Sequence, residues 1–134
     1  MKIIFVCTGN TCRSPMAEYI ARANNDKDVF ESRGIAADDG QYPAYNAVQA
    51  LKEMGINMLG HRAKQFTEQD ADADKFICMD LWGKMFLIEY FDIPEDKVSV
   101  LGNGISDPHG QDVYVYRERA KEIDEELAKL EYFN

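Results

Sequence analysis

Short continuous apolar runs alternate along this chain with longer stretches in which apolar residues recur every third or fourth position. The two patterns predict strands and helices in turn. Lys2 to Cys7 is β-branched and aromatic and ends in a Gly-Asn-Thr turn, as a buried strand does. Ser14 then offers an N-cap, Pro15 suits a first helical position, and Glu18 supplies negative charge near the start of a helix carried by MAEYIARAN. Val29 to Ile35 reads as a second strand, closed by Gly34 and AADDGQYP. Ala44 to Met54 places Ala47, Val48, Leu51 and Met54 on one helical face and stops at Gly55. Thr67 with Asp70 resembles a capped helical turn. Lys75 to Met79 is a central strand, Leu81 to Phe91 a helix, and Lys97 to Leu101 a last strand. Beyond GNGISDPHGQD, a final helix carries Tyr116, Ala120, Ile123, Leu127 and Leu130 at helical spacing. Strands alternating with helices imply a parallel sheet covered on both faces.

Composition narrows the function classes. The 134 residues suit one compact domain spanning 1–134, with no repeat or linker. Acidic residues outnumber basic ones 24 to 15, and the net charge of −9 argues against nucleic acid or an anionic membrane as partner. Any anion site must therefore work by local geometry against an unfavourable overall field. The cysteines Cys7, Cys12 and Cys78 are odd in number and lack C-x-x-C spacing. Only His61 and His109 are available, with no H-E-x-x-H pattern, so neither a disulfide scaffold nor a metal site is expected, and no cofactor is implied. The apolar run IIFVC is too short for a signal peptide, and no segment is long enough to span a membrane; a soluble protein of the cytosol is expected.

The candidate chemistry lies in CTGNTCRS, between the first strand and first helix. A loop running from a strand into a helix N-terminus points backbone N–H groups at an anion. Gly9 and Asn10 tolerate the left-handed dihedrals of a concave loop, and Arg13 adds a planar fork that can hold two oxygens at once. Cys7 lies at the floor of this cradle, where dipoles and a cation favour a thiolate placed for in-line attack on a bound phosphoryl group. Cys12 follows five residues later, close enough in sequence for oxidation to join it to Cys7, or for a packing role alone. Cys78, within FICM, reads as core.

Cys7 to Glu18, CTGNTCRSPMAE, resembles the phosphate loop of the low-molecular-weight protein tyrosine phosphatases. SRGI at Ser32 to Ile35, GHRAKQ at Gly60 to Gln65 and SDPHG at Ser106 to Gly110 resemble further segments of that family, so the likeness covers essentially the whole chain. The resemblance implies a single three-layer α/β domain with a central, mainly parallel, four-stranded twisted sheet, helices on both faces, and the phosphate loop after strand 1. It implies that Cys7 forms a phosphocysteine, that Arg13 binds phosphate, and that Asp107 is the general acid and then the base. Thr8, Gly9, Asn10, Thr11, Cys12, Arg13, Ser14 and His109 would form the substrate and phosphate site. Ser14 would hydrogen-bond the thiolate, Asn10 would hold the loop's shape, and His61 would support Asn10 from behind. The expected partners are a phosphorylated protein and inorganic phosphate or other tetrahedral oxyanions.

Two positions bear on substrate. Most tyrosine phosphatases of this type have an aliphatic residue where this chain has Thr11 and an aromatic one where it has His109. A bacterial branch with CTGNTCRS acts on phosphoarginine, and a threonine hydroxyl can hydrogen-bond a guanidinium; that branch too has an aromatic residue after Asp-Pro, where this chain has His109. Asp38 and Asp39 either line the pocket mouth, favouring a basic substrate, or form a solvated turn. Phosphotyrosine and phosphoarginine are both expected substrates. The loop is also similar to that of thioredoxin-coupled arsenate reductases, but these need two further cysteines after the central strand, where this chain offers Cys78 alone. A catalytically silent phosphoryl-binding module is the third reading.

Overall fold

The computed structural model describes all 134 residues. Four strands, β1 (Lys2–Cys7), β2 (Val29–Gly34), β3 (Lys75–Cys78) and β4 (Val98–Val100), form one sheet in the order β2-β1-β3-β4. Every pairing is parallel, with Ile3 opposite Phe30 and Lys75, and Cys78 opposite Val100. Four helices connect them: α1 (Arg13–Asn24), α2 (Tyr45–Glu53), α3 (Leu81–Phe91) and α4 (Val113–Ala128). None is long and apolar enough to cross a membrane.

The period of two along β1 divides the core. Ile3, Phe5 and Cys7 face a cluster shared with α1, α2 and α4, whereas Ile4 and Val6 face a smaller one beneath α3 with Phe66, Phe76 and Leu87. Burial on both faces explains why β1 and β3 read as continuous apolar runs. Because α3 covers its face almost alone, it is apolar all round: Leu87 is buried while Leu81, Trp82, Met85 and Tyr90 remain exposed. Gly83 lets α3 lie close to the sheet, since a Cβ there would stand 3.3 Å from that of Cys78.

The boundaries differ from expectation in ways that have local causes. The first helix begins at Arg13, Cys12 occupies its N-cap without a side-chain cap, and Ser14 lies inside the first turn instead of capping it. Glu18 is accordingly too far along for the helix terminus and is buried. The last helix stops at Ala128, so Leu130 packs on the core from beyond it. The turn at Glu68–Asp72 has the expected reciprocal cap, Thr67 with Asp70.

β1 has β2 on one side and β3 on the other, so the chain leaves its carboxyl end at a point where successive connections diverge. Loops after β1, β3 and β4 converge on that crevice, the usual ligand position of an open parallel sheet.

Candidate active site

The loop after β1 is built around Asn10, which takes a left-handed conformation (φ 58°) and is fully buried. All its polar groups are engaged. Its side-chain oxygen accepts the Lys64 N–H (2.9 Å), and its carbonyl accepts His61 Nε2–H (2.7 Å). Its amide nitrogen donates to Ser14 Oγ (2.8 Å) and Ser32 Oγ (3.0 Å), while its own backbone N–H points at Cys7 Sγ (3.3 Å). Burial pushes the His61 imidazole below its ordinary value, which keeps it neutral with the proton on Nε2.

Beneath the loop lies Gly34, the end of β2. A Cβ there would fall 2.6 Å from the Thr8 carbonyl oxygen and 2.8 Å from Ala37 Cβ, so only glycine allows this close approach.

Ser14 Oγ stands 2.8 Å from Cys7 Sγ. Its oxygen already accepts from Asn10, which leaves its hydrogen for the sulfur in preference to the Arg33 carbonyl at 3.4 Å. The polarity is set further back: Ser32 donates to Glu18 Oε1 (2.6 Å), so its oxygen is free to accept from Asn10. The Asn10 amide nitrogen thus donates to two serines, of which Ser32 passes its hydrogen to the Glu18 carboxylate and Ser14 turns its own toward the cysteine. Burial pushes the Glu18 carboxyl up, opposed by Ser32 and the Arg22 guanidinium. Two donors converge on Cys7 Sγ, an arrangement that stabilises negative charge there. Cys12 lies in the opposite environment, where burial pushes its thiol up and its side-chain hydrogen-bond partners are the Tyr116 hydroxyl (3.5 Å) and Thr11 Oγ1 (3.6 Å). All three cysteines are free thiols.

Arg13 is 4 % exposed, and one edge of its guanidinium is committed to protein. Nη1 donates to Asp80 Oδ2 (2.8 Å) and the Ile105 carbonyl (3.1 Å), while Nη2 makes only a long bond to Thr8 Oγ1 (3.5 Å), so the Nε and Nη2 edge is the one open to an anion. Nη2 stands 3.7 Å from Asp107 Oδ2. The Asp107 loop is held by its own turn, with the His109 N–H donating to Asp107 Oδ1 (3.0 Å), and the Asp107 side chain is half-exposed.

These groups enclose a cavity of about 230 Å³ lined by Cys7 to Arg13, Gln41, Asp107 and His109. Among the residues expected from sequence, Ser14 and His61 stand behind this wall and the remainder form it. Asp38 and Asp39 do not line it: the Asp38 carbonyl closes a turn on the Gln41 N–H, and Asp39 Oδ1 accepts the Gln65 N–H (2.8 Å). They form the solvated turn and say nothing about substrate charge. Cys78 is wholly buried in the cluster under α3, where burial pushes its thiol far up, so it is inert core.

Sequence reasoning missed Asp80, Ser32, Glu18 and Gln41. Asp80 had a usable signal, since an acid directly after a predicted central strand must lie at the sheet edge that carries the phosphate loop.

The sequence profile described as "Low molecular weight phosphotyrosine protein phosphatase" matches residues 2–132. A low molecular weight protein-tyrosine-phosphatase PtpB of Staphylococcus haemolyticus is 34% identical over 136 residues, covering 97% of each chain. A protein-arginine-phosphatase of Geobacillus stearothermophilus is 34% identical over 138 residues, 96% of this chain and 93% of its own. Among solved structures, a YwlE arginine phosphatase variant with a phosphorylated active-site serine in place of cysteine superimposes with a TM-score of 0.89. It is 32% identical over 95% of this chain and 91% of that one. With the fold, the loop and the matched length in agreement, this chain belongs to the low molecular weight phosphotyrosine protein phosphatase family.

Proposed function

We propose that this protein phosphatase acts on phosphoarginine in proteins through a phosphocysteine on Cys7. The observation that carries the substrate assignment is the place of Thr11, whose hydroxyl-bearing side chain lines the catalytic cavity together with Gln41 and Asp107. A flat aromatic leaving group gains from stacking on an apolar ring, whereas a guanidinium gains from hydroxyl, amide and carboxylate acceptors. The arginine phosphatase relatives agree with this reading.

In the first step the Cys7 sulfur attacks phosphorus in line with the leaving nitrogen, and the P–N bond breaks as the P–S bond forms. Arg13 holds two non-bridging oxygens, and the backbone N–H groups of the loop take the charge that develops on the equatorial oxygens. Asp107, in its acid form, gives its proton to the departing nitrogen. In the second step the Asp107 carboxylate takes a proton from water, whose oxygen attacks phosphorus; inorganic phosphate leaves and the thiolate is restored. The phosphorylated serine of the structural relative is consistent with covalent transfer at this position. A free, ionisable nucleophilic cysteine works best under reducing conditions, and we place the protein in the cytoplasm on that ground.

The test compares kcat/KM for a phosphoarginine peptide with that for an aryl phosphate ester. Wild type is expected to favour the former, and Thr11→Ile to shift the ratio toward the aryl ester by about tenfold, the effect of one lost hydrogen bond to a charged group. An unchanged ratio removes Thr11 as selector. For Asp107→Asn, kcat/KM, which reports the steps up to departure of the leaving group, is expected to fall by about 10²- to 10³-fold on a poor leaving group and far less on a nitrophenolate, which departs without a proton. Equal losses on both would take the acid role away from Asp107.

A further inference from the structure

A second cavity, of about 530 Å³, opens beside the catalytic one, with Tyr42, Tyr45, Val48, Lys52, Ile56 and Leu59 among its walls. The two are neighbours through the chain itself. Gln41 lines the catalytic cavity and the next residue, Tyr42, lines this groove. The Ala44 N–H donates to the Thr11 carbonyl (3.0 Å), so α2 starts against the phosphate loop. From that end Tyr45, Val48 and Lys52 follow one face of α2, and seven helical residues span roughly 10 Å. An extended peptide covers that distance in about three residues.

The groove's chemistry is unlike the rest of the surface. Tyr42, Tyr45 and Leu59 are 70%, 74% and 63% exposed, a cluster of large side chains that marks an interaction site better than a bare surface. Although acids predominate in the chain, no carboxylate lines this groove, and its single charged wall is Lys52. The adjacent Glu53 is held away in an ion pair with Arg117 (2.7 Å). The Arg62 guanidinium stacks on the Tyr42 ring, 4.0 Å from its centroid, which steadies the ring and adds a second cation at the mouth.

We propose that this groove is a substrate subsite. It receives the protein segment flanking the phosphorylated residue, with an apolar side chain against Tyr42, Tyr45 and Leu59 and a carboxylate about three residues away on Lys52. The proposal rests on the protein phosphatase reading and adds a sequence preference to it. Against an overall charge of −9, Lys52 in the wall and Arg62 on the Tyr42 ring make this groove locally positive among apolar side chains, and a mixed apolar and acidic segment is its complementary partner.

The test uses the intact chain, an aryl phosphate ester, and phosphoarginine and phosphotyrosine peptides containing leucine. Glutamate, lysine or alanine stands three positions from the phosphorylated residue on either side. In wild type the glutamate peptide is expected to have a KM about fivefold below the lysine peptide on one side. Lys52→Glu should invert that order, and Tyr45→Ala should raise KM for all peptides by about tenfold. Turnover of the aryl ester should be unchanged in both variants, since the ester fills the catalytic cavity alone and neither residue lines it. Unchanged peptide ratios in Lys52→Glu, with ester turnover intact, overturn the subsite and leave the phosphatase reading standing. No turnover of ester or peptide by wild type overturns that reading and the subsite with it. Sedimentation in which wild type dimerises and both variants do not assigns the groove to a second copy instead.

Discussion

Cys7→Ser is expected to lower kcat by at least about 10⁴-fold while leaving inorganic phosphate and vanadate affinity no weaker than in wild type. The substitution is nearly isosteric, so the Asn10 N–H and the Ser14 hydroxyl keep a partner at 2.8–3.3 Å and the loop has no reason to move. What changes is the nucleophile. A serine hydroxyl is not ionised by two hydrogen bonds, and no histidine is hydrogen-bonded to it to take the proton: His61 is occupied on the far side of Asn10, and His109 lines the cavity without a bond to residue 7. In the proposed mechanism the anion's contacts come instead from backbone N–H groups and Arg13, which the variant retains. Stopped-flow phosphate release and calorimetric titration with phosphate separate the two effects. A variant that turns over at the wild-type rate sinks the phosphocysteine mechanism, and one that neither turns over nor binds oxyanion has lost the cradle itself.

Arg13→Lys should cost about 10²- to 10³-fold in kcat/KM although the formal charge is unchanged. The guanidinium plane is pinned by Asp80 and the Ile105 carbonyl on one edge, which aims the other edge into the cavity. An ammonium group drawn to Asp80 has no second edge to present, so the paired contact to two phosphoryl oxygens disappears while the electrostatic attraction survives. Thermal unfolding serves as the control, because Asp80 keeps a cationic partner and the fold should hold. If the variant retains wild-type kcat/KM, charge alone suffices and the planar fork has no part in transition-state binding.

The element order, the sheet and the position of the reactive loop could be read from sequence because they follow from local patterns: apolar runs, Ser-Pro after a Gly-Asn turn, and helical spacing in the last helix. Ser14 shows where that reading stops. Its helix-capping propensity is real, but Cys7 and Asn10 compete for the same hydroxyl and prevail, and the helix begins two residues earlier, at Arg13 in place of Pro15. Asp80 and Ser32 escaped notice for a related reason. Each acts on the loop only because β2 and β3 flank β1, and that adjacency is a long-range outcome no local window contains. Asp38 and Asp39 mark a choice the sequence left open, between a pocket wall and a solvated turn; the bond from the Gln65 N–H to Asp39 and the backbone turn closed by Asp38 decide it for the turn.

Asp80 divides its two oxygens between tasks: Oδ1 accepts the Gly83 N–H at the start of α3, and Oδ2 holds Arg13. The grip on the oxyanion and the integrity of a helix on the far face of the sheet therefore share one carboxylate. Fraying of that first turn loosens the arginine before the domain melts, and exchange at the Gly83 amide registers, from a position no substrate reaches, whether the anion clamp is assembled.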